Sequence, residues 1–369
     1  MGFEDSLREV AFTFVRFFTF TAHALVFGIP VICLLVLRPV FAGLDDDTWS
    51  AGRSRLGARL EGAARAAMIG SIVATVVGIV LQAALIASLT EGDLSSPSFM
   101  SVFETTFGQW YLFRFPLVAG LYVLLVGQIA RWALARTGSG PMWWAGWIAL
   151  AAALLSTSSF TGHAAVASPR WAGLLNDFVH LAAGSIWFAG IVLLAVFLPD
   201  AWRGRSEPER LAFLAPVVVR FSRVALIAIA VVALTGVVNS LFNVAAFGDL
   251  FGSAYGVTLT LKLLLFAGIL AMGAVNHFVL RDRMAAAAAG RGTTSAHKTF
   301  RRTIAIELII AVSIMGVTGW LTGQAKTREG VPPPDDGISA YSDTLRTQPP
   351  ATPSKVAKPR AARMASAPG

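Results

Sequence analysis

The sequence predicts an all-α, polytopic membrane protein with eight transmembrane helices, and two observations carry that prediction. The first is composition. Of 369 residues, 55% are hydrophobic and only 14% are charged, and the mean hydropathy is +0.66. A soluble domain carries roughly 25% charged residues because its surface must be wetted, so a soluble enzyme is excluded. The second is recurrence. Apolar runs occur at Phe12 to Leu37, Ala66 to Leu89, Leu112 to Ala130, Met142 to Phe160, Phe178 to Leu198, Val217 to Phe242, Val257 to Leu280 and Ile304 to Leu321. Runs of ~18 to 26 residues make ~27 to 39 Å of helix, enough to cross a bilayer core. Membrane strands would show only ~10 alternating residues each.

The first span is expected to be retained. Its leading residues, MGFEDSLREV, are mixed in sign, and the apolar run behind them is too long for a removable signal. The connections then alternate in charge. Loops one, three, five and seven hold eighteen basic residues, including Arg38, Arg53, Arg55, Arg59, Arg203, Arg205 and Arg210. The even loops hold Arg170 beside Glu91, Asp93, Glu104 and Asp249. By the positive-inside rule the odd loops are cytoplasmic, so both termini are expected on the extracytoplasmic side of a bacterial inner (plasma) membrane. The net charge of +9 is therefore a topology signal, and no nucleic-acid partner is expected; membrane lipid is.

Two segments follow from composition: a membrane domain over 1–323 and a Pro-, Ala-, Ser- and Lys-rich tail over 324–369. The tail cannot bury a core and is expected to be disordered outside the membrane. An internal 4+4 parallel repeat is suggested within 1–323. FGQWY (Phe107 to Tyr111) precedes span three as FGSAY (Phe251 to Tyr255) precedes span seven, with Arg114 and Lys262 behind them. His23 with Gly28 in span one matches His180 with Gly184 in span five.

Ionisable residues inside a membrane are costly and are therefore the first candidates for a site. His23 lies in span one, His163 ends span four in STSSFTGHAA, and His180 lies early in span five, one turn after Asp177. All three fall in the outer half of the bilayer, and imidazoles at one depth are what a metal or haem site needs. A lone histidine near a helix end is more often a hydrogen-bonding residue, and Asp177 or Asn176 can simply cap span five. Read functionally, Asp177 orients His180 from behind. His277 and Glu307 are weaker candidates at the inner end. Arg114 and Lys262 read as snorkelling outward. Trp143, Trp144 and Trp147 read as an interfacial anchor. Cys33 and the methionines Met68, Met272 and Met315 read as packing residues. One cysteine excludes a disulfide framework and a multi-cysteine cluster. No Walker loop, dinucleotide fingerprint, HExxH or nucleophilic triad is present, so the sequence predicts a chain that is not an enzyme and does not pump with ATP.

The stretch DFVHLAAGSIWFAGIVLLAVFLP (Asp177 to Pro199) resembles the signature of the bacterial copper resistance protein D family, a His–Leu–Ala-rich helix leading into Trp–x–x–Gly, here His180, Trp187 and Gly190. The similarity extends through RFSRVALIAIAVVALTGVVNS (Arg220 to Ser240), YGVTLTLKLLLFAGILAMGAVNHF (Tyr255 to Phe278), FRRTIAIELII (Phe300 to Ile310), GHAA (Gly162 to Ala165) and His23 with Leu37-Arg38-Pro39. The resemblance implies an eight-helix inner-membrane protein moving copper from periplasm to cytoplasm. Its implied partner is a periplasmic copper-binding protein of the copper resistance C type. No such domain is recognised in this chain, and the tail offers only Met364 as a soft ligand, so a separate donor is expected. The expected site is a copper ion held by His23, His163 and His180, with Asp177 behind them. Neutral imidazoles suit copper, whereas carboxylate cages suit Mg²⁺ or Ca²⁺. Two rivals stand beside it: a b-type haem protein using paired histidines from facing helices, and an assembly factor without metal.

Overall fold

The computed structural model describes residues 3–89, 96–125, 141–162, 169–275 and 295–324. Among these residues the architecture is all-helical, with no strand. The helices are α1 (Phe3–Ile32), α2 (Asp46–Leu89), the short α3 (Ser96–Ser101), α4 (Thr106–Leu125), α5 (Pro141–Phe160), α6 (Arg170–Val192), α7 (Glu207–Asn243), the short α8 (Asp249–Gly252), α9 (Ala254–Val275) and α10 (Ser295–Leu321). Six of them (α1, α2, α6, α7, α9 and α10) are long and apolar enough to cross a membrane. The other two long helices, α4 and α5, have 20 residues each, about 30 Å at helical rise. Helix α2 starts well before the expected Ala66. Its 44 residues reach about 66 Å, so most of the basic first loop is helix.

Two prolines set a shared irregularity. Pro39 and Pro199 have no N–H to continue an α-helical ladder, and each is preceded by a π-helical turn, at Cys33–Leu37 and at Leu193–Phe197. There the N–H of Arg38 reaches back to Cys33, and that of Leu198 to Leu193. A third proline, Pro30, lies inside α1 and leaves the Val26 carbonyl without its helical donor. Trp147 fills the gap: its Nε1–H donates to Val26 O at 3.2 Å. Trp147 is thus fully buried, and Trp144 nearly so. This corrects the interfacial-anchor reading, because the indole N–H is spent on a backbone carbonyl inside the bundle rather than on headgroups.

Helices α1 and α6 form the centre. They approach so closely at Gly28 that an added Cβ would overlap the Ser185 carbonyl oxygen. On the N-terminal side, α1, α2, α4 and α5 close a ring, with seams α1–α2, α2–α4, α4–α5 and α5–α1. On the C-terminal side, α6 packs on α7 and α9 packs on α10, which also meets α1 and α6. No comparable seam joins α7 to α9 among the described residues. That group is open where the first is closed.

At one end of the bundle the basic segments meet. Arg59 pairs with Asp200 at 3.0 Å, Arg55 Nε donates to the Asp200 carbonyl at 3.1 Å, and Arg205 donates to the Thr48 carbonyl. The first and fifth predicted loops therefore share one face. Helix α7 begins there on a capping box in which Ser206 and the Glu209 carboxylate are joined.

Candidate functional site

Two polar groups lie inside the bundle, one among the N-terminal helices and one among the C-terminal helices. The first is sealed. His23 on α1 is 1% exposed. Its Nδ1 lies 3.1 Å from Ser158 Oγ on α5 and its Nε2 lies 3.0 Å from Ser71 Oγ on α2. A neutral imidazole has one donor and one acceptor nitrogen, so both are engaged by hydroxyls. Beside it lies Arg114 of α4, also 1% exposed. Its Nε donates to Thr157 Oγ1 at 2.9 Å, and its guanidinium carbon sits 3.9 Å from the centre of the Tyr111 ring. Arg114 does not snorkel: the Thr157 hydroxyl and the Tyr111 face hold it inside.

The second group is less deeply buried. Asn176, Asp177 and His180 on α6, Thr235 and Asn239 on α7, and Lys262 on α9 are all half-buried. His180 Nδ1 lies 2.9 Å from Thr235 Oγ1. The Thr235 hydroxyl gives its own proton to the Val231 carbonyl at 2.6 Å, so it accepts from His180. Nδ1 therefore carries the imidazole proton, and the lone pair resides on Nε2. Asn176 Nδ2 donates to Thr235 O at 3.0 Å and to Asn239 Oδ1 at 2.8 Å, which locks α6 to α7 around the histidine. Lys262 lies within electrostatic reach of both Asp177 and His180.

The structure thus brings His180 and Asp177 together on one face of α6 and places His23 in a different group of helices. His163 and His277 lie outside the described residues. Among the described residues no three His, Cys, Asp or Glu side chains gather. Cys33 is buried packing, as expected. Sequence reasoning missed Thr235, Asn239 and Asn243, and also Ser71 and Thr75. The available signal was their spacing: polar residues at i, i+4 and i+8 mark one stripe of a helix, and scanning for apolar runs averages such stripes away.

The start of α4 and the start of α9 are built alike. The N–H of Gly108 donates to Thr105 Oγ1 at 3.1 Å, and the N–H of Gly256 donates to Ser253 Oγ at 2.9 Å. Each glycine presses on the short helix before it, where a Cβ would overlap the Val102 or the Asp249 carbonyl. The matched pairs Thr105/Ser253, Gly108/Gly256 and Arg114/Lys262 share one spacing of 148 residues. This re-registers the FGQWY/FGSAY pairing expected from sequence by four residues, because the close backbone contact falls on Gly256 and not on Gly252.

The family model for the copper resistance protein D-like N-terminal domain matches residues 7–174, and that for copper resistance protein D matches residues 215–321. The chain belongs to the copper resistance protein D family. It is 30% identical over 294 residues to the copper transport protein CutJ of Bacillus subtilis (strain 168), covering 78% of this chain and 50% of that protein. It is 29% identical over 265 residues to copper resistance protein D of Pseudomonas syringae pv. tomato, covering 69% of this chain and 80% of that one. The chain spans about half the length of the Bacillus relative. No solved structure matches it. Within a copper resistance protein D framework the two groups differ chemically. A copper ion needs an available imidazole lone pair; a serine hydroxyl faces each nitrogen of His23, whereas at His180 the Thr235 hydroxyl faces Nδ1.

Proposed function

We propose that this chain carries copper across the bacterial inner membrane toward the cytoplasm, with the metal met by His180 Nε2 in the open C-terminal group. The observation that carries the reading is the Thr235–His180 hydrogen bond, which fixes the tautomer in the way metal-binding histidines are held. Asp177, one turn earlier, supplies a negative charge beside the entry and helps orient the ring. His163 keeps its expected place as a further ligand on sequence grounds. His23 is proposed as a support of the sealed group rather than as a partner of the same ion. The names of the Bacillus and Pseudomonas relatives support copper as cargo.

The architecture proposed for this activity is eight spans in a 4+4 parallel arrangement: α1, α2, α4 and α5, then α6, α7, α9 and α10. The shared π turns before Pro39 and Pro199 and the 148-residue spacing of the α4 and α9 starts support it. Arg55, Arg59 and Arg205 at one end support, by the positive-inside rule, a cytoplasmic position for that end and an extracytoplasmic one for both termini. A periplasmic copper-binding protein of the copper resistance C type is the proposed donor, since no energy-coupling motif is visible.

Cells producing the chain are expected to accumulate more copper than control cells, and cells producing His180→Ala at equal membrane level to match the control. Equal accumulation by wild type and His180→Ala would overturn the site; lower accumulation by wild type than by the control would reverse the direction. For orientation, an impermeant thiol reagent should label Ser339→Cys and spare Ser206→Cys in spheroplasts of a Cys33→Ser background. The opposite pattern would invert the map.

A further inference from the structure

We propose that the sealed N-terminal group binds one small monovalent anion, of the halide class, at the Arg114 guanidinium. Arg114 is 1% exposed among α1, α2, α4 and α5, whose seams run from each to the next. Its Nε is used on Thr157 Oγ1, which gives its own proton to the Leu154 carbonyl at 2.7 Å. Its Nη1 is buried and has no hydrogen-bond partner, as are Ser159 Oγ on α5 and Thr19 Oγ1 on α1, one turn before His23. A buried guanidinium nitrogen left without an acceptor loses its hydration for nothing in return, so such a group calls for a bound ion or water.

Charge decides between these. The Tyr111 face at 3.9 Å softens the cation but supplies no negative charge. Among the described residues the only other buried charged side chain is Glu307, on α10, a helix that forms no seam with α4. The C-terminal group makes the contrast. Lys262 stands where Arg114 stands, 148 residues later, and there Asp177 lies within electrostatic reach. One group carries its own counter-charge; among the described residues the other has no buried one. The groups that touch Arg114, the Thr157 hydroxyl and the Tyr111 ring, are neutral and cannot balance its charge. A divalent oxyanion would leave net charge buried again, whereas a halide balances the single guanidinium. The fixed positive charge beside His23 also makes that group unsuited to a copper ion, so the anion and the cargo occupy separate halves.

The test uses the purified full chain in detergent, with sodium chloride replacing sodium gluconate at constant ionic strength. Wild type and Arg114→Lys are expected to show a saturable rise in Tm of about 5 °C, the size that ligand saturation gives a chain of this order; Arg114→Gln should show none. Because Arg114→Gln can fail to fold, ³⁵Cl NMR on wild type alone decides the case: line broadening by the protein, reversed by bromide, is expected. Wild type that neither broadens the line nor gains Tm in chloride would overturn the proposal, as would an Arg114→Gln variant with the wild-type chloride response. Neither readout involves copper, so the outcome is independent of the copper path.

Discussion

Purified protein carrying His180→Ala is expected to bind copper more than about 100-fold more weakly than wild type, because the substitution removes the donor atom itself. Thr235→Val should weaken binding by about 10- to 100-fold, the range for residues that orient a ligand without touching the metal. Valine keeps the shape of threonine and loses the oxygen that accepts the Nδ1 proton at 2.9 Å, so the ring is freed to turn and to exchange its tautomer. His23→Ala should leave copper affinity within a few-fold of wild type, since His23 already spends both nitrogens on Ser71 and Ser158. Copper titration of the three variants in detergent gives the ranking. A Thr235→Val protein with wild-type affinity would show that the tautomer is not set by that hydroxyl.

Gly28→Leu is expected to abolish recovery of monodisperse folded protein. A Cβ at Gly28 would overlap the Ser185 carbonyl oxygen and crowd Ala189 at 2.5 Å. The first of these is backbone of a helix packed on both sides, so it cannot rotate away as a side-chain tip would. Overpacking of a well-packed interior typically costs about 1–3 kcal/mol, and here relief requires separating the two central helices along their whole seam. Gly62→Leu on α2 is the control: nothing lies within 4 Å of a Cβ there, and its Tm should match or exceed that of wild type. Size-exclusion profiles and Tm in the same detergent compare the pair. Normal recovery of Gly28→Leu with unchanged Tm would mean that α1 and α6 do not pack through this contact.

The helices and the meeting of the first and fifth basic loops were legible in the sequence because each rests on a strong local signal: a long apolar run, a charge bias. What was not legible depends on which faces meet. Arg114 was read as snorkelling because its distance from the helix end permits it; only the neighbouring α5 supplies Thr157 to hold it inward. Trp147 sits near a helix end, where indoles commonly anchor to headgroups, but the carbonyl left free by Pro30 of another helix draws it into the core. The sequence suggests one depth for the three histidines, yet depth says nothing about rotation around a helix axis. His23 turns toward Ser71 and Ser158 and His180 toward Thr235. The FG pairs preceding spans three and seven looked equivalent as strings, but the glycines that press on a preceding backbone are Gly108 and Gly256, which are spaced four residues differently from the FG pairs.

The claim that copper is met in the open half and not in the sealed one is tested most directly by imidazole footprinting on the unmodified chain. Diethyl pyrocarbonate acylates a reachable, unprotonated ring nitrogen, and mass spectrometry assigns each modified histidine. Without copper, His180 should be modified through its Nε2 and His23 should stay unmodified in its sealed ring; with saturating copper, His180 should become protected. Copper protection of His23, with His180 modified equally in the presence and absence of the metal, would contradict the account.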